Sequence, residues 1–132
     1  VAEGDSLHRA FGQWDFDDND FIIKMTGRYY LTDRFFIDMV ELVAPFADGL
    51  IKRDIGGAYF TGCFALKAKH FKHFLDTLDF EKMEKELISI EQMLWEFVHE
   101  MERQGLLVFK LDSVHVAGRV FNDGIHTSNC YW

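Results

Sequence analysis

The chain has 132 residues, the size of one domain, and 48% hydrophobic with 16% aromatic content supplies a core, which excludes a disordered polymer. Fourteen basic against twenty-two acidic side chains leave a net charge of -8, so most of the surface repels a phosphate backbone and nucleic acid is not an expected partner. No apolar run approaches the roughly 18 residues that span a bilayer, and no charged-then-apolar leader opens the chain, so neither a transmembrane segment nor a leader is expected. Cys63 and Cys130 are too few for a disulfide framework and have no C-x-x-C neighbour, so both are expected to be reduced and structural, in a cytoplasmic setting. The chain opens on Val1 and not on Met, so an engineered start, a processed product or a piece excised from something longer is expected.

Ser6 is placed to cap a short helix through about Trp14, with Leu7, Ala10, Phe11 and Trp14 three or four apart. The acidic loop "DFDDND" follows. As an EF-hand loop starting at Asp15 it fails, because the sixth and twelfth positions hold Asp20 and Thr26 in place of glycine and glutamate. An Asp-x-Asp metal motif should end an apolar strand, and this cluster precedes one, so a solvated connection is expected. Next comes "IIKMTGRYYLTD", residues 22 to 33, read as one strand. Alternation puts Lys24, Thr26, Arg28 and Tyr30 on one face and Ile23, Met25, Gly27 and Tyr29 on the other.

From Thr32 the period becomes helical through Phe35, Phe36, Met39, Val40 and Val43, ending near Pro45 and the turn "ADG". "LIKRDI" reads as a short strand, and "GGAYFTGCFALKAKHF" as a glycine-broken strand running into an amphipathic turn. A helix over Ser89 to Gln104 opens with the serine-to-glutamine spacing of a capping box and is stopped by Gly105. Its apolar stripe is Ile90, Leu94, Phe97, Val98 and Met101. "LLVFKL" and "VHVAGRVF" follow as strands, and "FNDGIH" as a turn through Asn122, Asp123 and Gly124. The mixed order predicts an α/β or α+β fold in a single unit from residue 1 to 132.

The first strand carries the chemistry. A guanidinium holds carboxylates, phosphates or hydroxyls with a rigid fork, and tyrosine faces stack on sugar rings. Lys24, Arg28 and the tyrosines therefore suit a polyhydroxylated or phosphorylated ligand, while an ordinary edge strand with solvent-facing charges fits the same residues. Gly27 weakens a strand and is expected to permit a bulge or a close ligand. Glu91, two residues past the cap Ser89, is explained by the helix dipole alone; as a functional residue it would be a base at a rigid helix start. His115 and His126 have no local metal-ligand spacing, and a lone strand histidine reads as structural.

Together these segments resemble bacterial and large-virus nucleotide-sugar glycosyltransferases of the type A fold. Those carry a K-x-T-G-R-Y segment after an acidic turn, then a helix with I-E-x-x-L, then a closing V-x-G-x-x-x-x-D-G. The matching residues are Lys24, Thr26, Gly27, Arg28 and Tyr29, then Ile90, Glu91 and Leu94, then Val116, Gly118, Asp123 and Gly124. The likeness runs from about Glu3 to Gly124. It implies a mixed sheet with packed helices, corresponding to the C-terminal, acceptor-side half of such an enzyme. It also implies transfer from a nucleotide-sugar donor to a glycan or protein acceptor, with a divalent metal, Mn or Mg. By the same likeness Glu91 is the general base or acceptor-orienting carboxylate. Arg28 and Tyr29 line the sugar site, with Lys24, Thr26, Gly27, Tyr30 and Asp123 as further substrate contacts, and His115 is a late metal or diphosphate contact.

A complete enzyme of this type also needs a preceding nucleotide-binding half of roughly 90 to 100 residues, with a glycine-rich strand-to-helix turn. The sequence shows no such turn and no Asp-x-Asp at the end of an apolar strand. The donor half is then expected from another chain or from a longer parent, or the chain forms a homo-oligomer through the face so exposed. A different class also fits fourteen phenylalanines and three tryptophans: a non-catalytic carbohydrate-binding or protein-interaction module.

Overall fold

The computed structural model describes residues 9, 10, 12, 13, 15–54, 56–121 and 127–132. Seven strands and four helices follow in mixed order among them: β1 (Phe21–Met25), β2 (Tyr29–Leu31), α1 (Phe35–Val43), β3 (Gly49–Lys52), β4 (Cys63–Lys67), α2 (Ala68–Thr77), α3 (Phe80–Glu86), α4 (Ile90–Arg103), β5 (Val108–Leu111), β6 (Val116–Phe121) and β7 (Thr127–Tyr131). The fold is mixed α/β, as the alternating periods predict. The helix expected from Ser6 to Trp14 and the turn at Asn122, Asp123 and Gly124 lie wholly or mostly outside the described residues, as does His126.

A four-stranded sheet has the order β1-β4-β3-β5, and a three-stranded antiparallel sheet the order β2-β6-β7. In the larger sheet β3 pairs antiparallel with β4 and parallel with β5. Alternation along β4 divides the core. Phe64 and Leu66 face one side, where Phe71, Phe74, Leu75, Met83, Leu94 and Val98 of the three later helices cover them. Cys63 and Ala65 face the other, covered by Phe36, Val40 and Val43 of α1 and by Val116 of the smaller sheet. The inert reading of Cys63 holds, since burial pushes its thiol up to about 12.

Residues 22–33 are not one strand. β1 pairs with β4 and β2 with β6, in different sheets. Between them the Tyr29 N–H donates to the Thr26 carbonyl at 3.0 Å, closing a tight turn over Gly27 and Arg28. The alternation expected across the whole stretch is therefore broken. Two helical segments also exceed what the sequence predicted. The amphipathic turn after "CFALK" is the full helix α2, with Ala68, Phe71, Phe74 and Leu75 buried. Helix α3 was not anticipated, because seven residues with Met83 alone buried leave no period to read. It is nucleated by Asp79, whose Oδ1 accepts the Lys82 N–H at 3.0 Å.

Helix α4 follows its prediction closely. Ser89 accepts the Gln92 N–H while Gln92 Oε1 accepts the Ser89 N–H, so both halves of the capping box form. Leu94, Val98 and Met101 are buried, and Ile90 and Phe97 pack at the edge of the same cluster. The acidic loop is exposed and structural. Backbone carbonyls of Asp18 and Asp20 accept the first N–H groups of α2, from Lys69 at 3.1 Å and Ala68 at 2.7 Å. None of the helices among the described residues is long and apolar enough to cross a membrane.

Candidate functional site

The register places β3 and β5 side by side and ends both at one edge of the sheet, beside the C-terminal end of β1 and the N-terminal end of β4. Crevices beyond the carboxyl ends of parallel strands are where open α/β sheets hold ligands. Here that end carries a cavity of about 250 Å³ lined by Lys52, Arg53, Tyr59, Phe60, Glu91 and Trp132, with Ala58 at its wall.

Each lining group arrives by a local cause. Lys52 closes β3, and Arg53 follows with its N–H on the Leu111 carbonyl at 2.7 Å, which prolongs the parallel pairing by one residue. Arg53 Nε donates to Asp112 Oδ1 at 2.9 Å in an exposed pair. Glu91 sits in the first turn of α4, where the unsatisfied N–H groups favour a carboxylate. Its backbone carbonyl accepts the Tyr59 N–H at 3.2 Å and its Oε1 accepts the Thr61 hydroxyl at 2.7 Å. Trp132 is held by main chain: its N–H donates to the Val116 carbonyl at 2.9 Å, and its carbonyl accepts the Ser113 hydroxyl at 2.8 Å.

Behind the cavity lies an aromatic cluster. Phe60 and Trp132 stack with ring centres 5.1 Å apart and 10° between planes, and Tyr29 meets both edge-on, at 5.4 and 4.9 Å. Two glycines make room for the Tyr29 ring. A Cβ at Gly62 would lie 2.8 Å from Tyr29 Cε2, and one at Gly118 would run into Tyr29 Cδ1 and sit 2.9 Å from the Arg28 carbonyl. Gly118 was read as part of a closing motif; its local role is to let β6 pass under this tyrosine.

The residues expected to form the site divide three ways. Glu91 lines the cavity, and Tyr29 forms its aromatic backing. Lys24 and Thr26 stand one layer behind. Lys24 is only 5% exposed, and its ammonium donates to the Thr61 carbonyl at 2.6 Å and to Thr26 Oγ1 at 2.7 Å. Thr61 thus couples the K-x-T segment to Glu91: its carbonyl takes Lys24 and its hydroxyl holds the carboxylate. The third group stands apart from the cavity lining. Arg28 is exposed in the turn with its guanidinium over the Tyr29 ring at 5.2 Å. Gly27 makes no close approach, since a Cβ there would meet nothing within 4 Å. Tyr30 is 60% exposed, on the opposite side of β2 from Tyr29. Asp123 lies outside the described residues.

His115 is not on a strand. It precedes β6 with φ 54°, its Nδ1 is 2.9 Å from Asp33 Oδ2, and its ring stacks on Phe35 at 4.0 Å. Asp33 is drawn below the usual carboxylate range, first by the Phe35 N–H and then by His115. The pair offers an ion one imidazole and one carboxylate, and among the described residues no group of three or more His, Cys, Asp and Glu could hold a metal.

Sequence reading missed Lys52, Arg53, Phe60, Thr61 and Trp132. The available signal was a Lys-Arg pair closing a strand and an aromatic-Thr-Gly step before the next, neither distinctive without the register. No known protein family, no curated protein and no solved structure matches this chain.

Proposed function

We propose that the chain is the acceptor-side part of a nucleotide-sugar glycosyltransferase, with Glu91 as the base that activates the acceptor hydroxyl. The observation that carries this reading is one carboxylate fixed at a rigid helix start and facing a cavity shared with two cations and a stacked aromatic pair. The Thr61 hydroxyl holds Oε1, and Oε2 has no partner among the described residues, so it is the oxygen that takes the proton. The acceptor oxygen then forms a bond to the anomeric carbon, and the bond from that carbon to the diphosphate oxygen breaks, the diphosphate leaving with the electron pair. Lys52 and Arg53, in place of Lys24 and Arg28, are the cations that face the developing negative charge. Phe60 and Trp132 supply the apolar surface against which a pyranose ring rests.

In this reading the donor nucleotide is held by a separate unit, whether another segment or another chain. A divalent ion would neutralise the diphosphate when bound; the described residues fit no complete ligand set, and no step above is routed through one.

The test is transfer by the chain together with its donor-binding unit, using a panel of radiolabelled nucleotide sugars. Glu91→Gln keeps the Thr61 contact and removes the base, so kcat should fall by about 10²-fold or more while acceptor KM changes little. Turnover unchanged in Glu91→Gln sinks the assignment. Binding of free glycan with no transfer from any donor would instead support the carbohydrate-binding module.

A further inference from the structure

Glu91, Trp95, His99 and Arg103 recur every fourth residue on α4, each step turning the row by about 40° around the helix. Each step rises about 6 Å along the axis, so the row extends about 18 Å from the cavity already described. Its far part borders a second concavity of about 400 Å³, lined by Trp95, Glu96, His99 and Arg103. These side chains form a shaped surface. The Trp95 indole N–H donates to Asp54 Oδ2 at 3.2 Å, which fixes the plane of the ring. His99 lies against that ring with centres 3.9 Å apart, and its ring is also near parallel to that of Tyr59, with centres 6.4 Å apart. His99 Nδ1 is 2.8 Å from the Trp95 carbonyl, which can only accept, so Nδ1 carries the proton and Nε2 remains an acceptor in the neutral ring. The Arg103 guanidinium pairs with Glu100 at 2.7 Å and keeps further N–H groups for another partner.

We propose that this flank is a second sugar subsite and that the acceptor is a neutral oligosaccharide spanning both concavities; the inference rests on the transferase reading. Glu100 already offsets Arg103 and Glu96 adds a further negative charge, so the second concavity disfavours an anionic chain, a penalty that a neutral one does not meet. Aromatic surface beside an acceptor at His99, a carboxylate at Glu96 and donors at Arg103 matches the CH faces and hydroxyls of a neutral sugar. A peptide would need an open strand edge or an apolar groove, and this helix flank provides neither. A row that starts at the proposed base and continues along one helix lets a chain held at its far end present its terminal hydroxyl to Glu91.

Binding is measured by titration calorimetry with neutral glucans, galactans and mannans, each from monosaccharide to hexasaccharide, alongside transfer to the same series by the chain together with its donor-binding unit. The expected result is affinity that rises with chain length, on the order of tenfold or more, because two linked contacts reinforce one another. Trp95→Ala should erase that gain and leave monosaccharide binding unchanged. Trp95 also packs on the core, so the exposed Arg103→Ala carries the same test with no risk to folding and should remove part of the gain. Equal affinity across every length, a gain retained in both variants, no binding by any series, or saturation of the flank by peptide would each overturn the proposal. Length-dependent binding without transfer would leave the subsite standing and remove the transferase reading instead.

Discussion

The two ends of the four-stranded sheet use similar residues to opposite purposes. At the end where β3 and β4 meet Asp48, polar groups are spent on one another. Asp48 Oδ1 takes His70 Nε2 at 2.9 Å and the Lys67 ammonium at 3.7 Å, all three side chains being largely buried. The Asp48 backbone is used as well, its N–H on the Leu107 carbonyl and its carbonyl on the Lys67 N–H. At the other end Lys24 is likewise consumed, but among the described residues Glu91 keeps one oxygen open, and Lys52, Arg53, Phe60 and Trp132 surround a cavity. A closed polar cluster holds the fold, whereas one with unused hydrogen-bonding capacity beside a cavity has donors and acceptors left to offer.

The sharpest break of this comparison is a double dissociation. Glu91→Gln should lower turnover by about 10²-fold or more while costing no more than about 0.3–1 kcal/mol in urea unfolding, the share of a carboxylate at a helix start. Asp48→Ala should do the reverse: it strands His70 and Lys67, costs about 2 kcal/mol in urea unfolding, and leaves turnover per folded molecule intact. A stability loss in the first variant as large as in the second, or loss of turnover in the second, would erase the distinction between the ends.

Gly118→Ala comes next in size. Its Cβ would meet the Tyr29 ring and the Arg28 carbonyl, and a backbone oxygen cannot swing aside. Overpacking there should cost about 1–2 kcal/mol and alter Trp132 fluorescence as Tyr29 is displaced. An unchanged emission spectrum would show that the aromatic backing does not depend on this glycine.

The smallest effect is expected at the Asp33–His115 corner, which is exposed. The Asp33 carboxyl titrates below its ordinary 3.8 in the folded chain, so its contribution is complete above that value and is lost as pH falls through the folded one. Wild type should therefore exceed Asp33→Asn in stability at neutral pH, with the gap closing under acid. A gap that persists at the acid end would contradict the pairing drawn from the geometry.

Part of the cavity lining is legible in the sequence. A capping serine and a helix start mark Glu91 as a fixed position in the sequence, its role coming only from the family resemblance, and Tyr29 belongs to a dense polar-aromatic segment; the structure puts both at the cavity. Arg28 and Tyr30 were misplaced by carrying a period of two through a turn, for which Gly27 was the warning. Lys24 was assigned to substrate on its charge, and the fold instead buries it on the Thr61 carbonyl.

What the sequence determined by itself is whatever depends on near neighbours: the capped helix α4 with its buried stripe, the alternation along β1 and β4, the acidic surface, and the mixed α/β class. Only the tertiary structure decided that Lys52, Phe60, Glu91 and Trp132 share one cavity, because these come from separate segments brought together by strand register and sheet order. A period states which face a side chain takes, and a shift of one residue in register would turn every such face over. Which faces then meet is fixed by the packing of the whole chain.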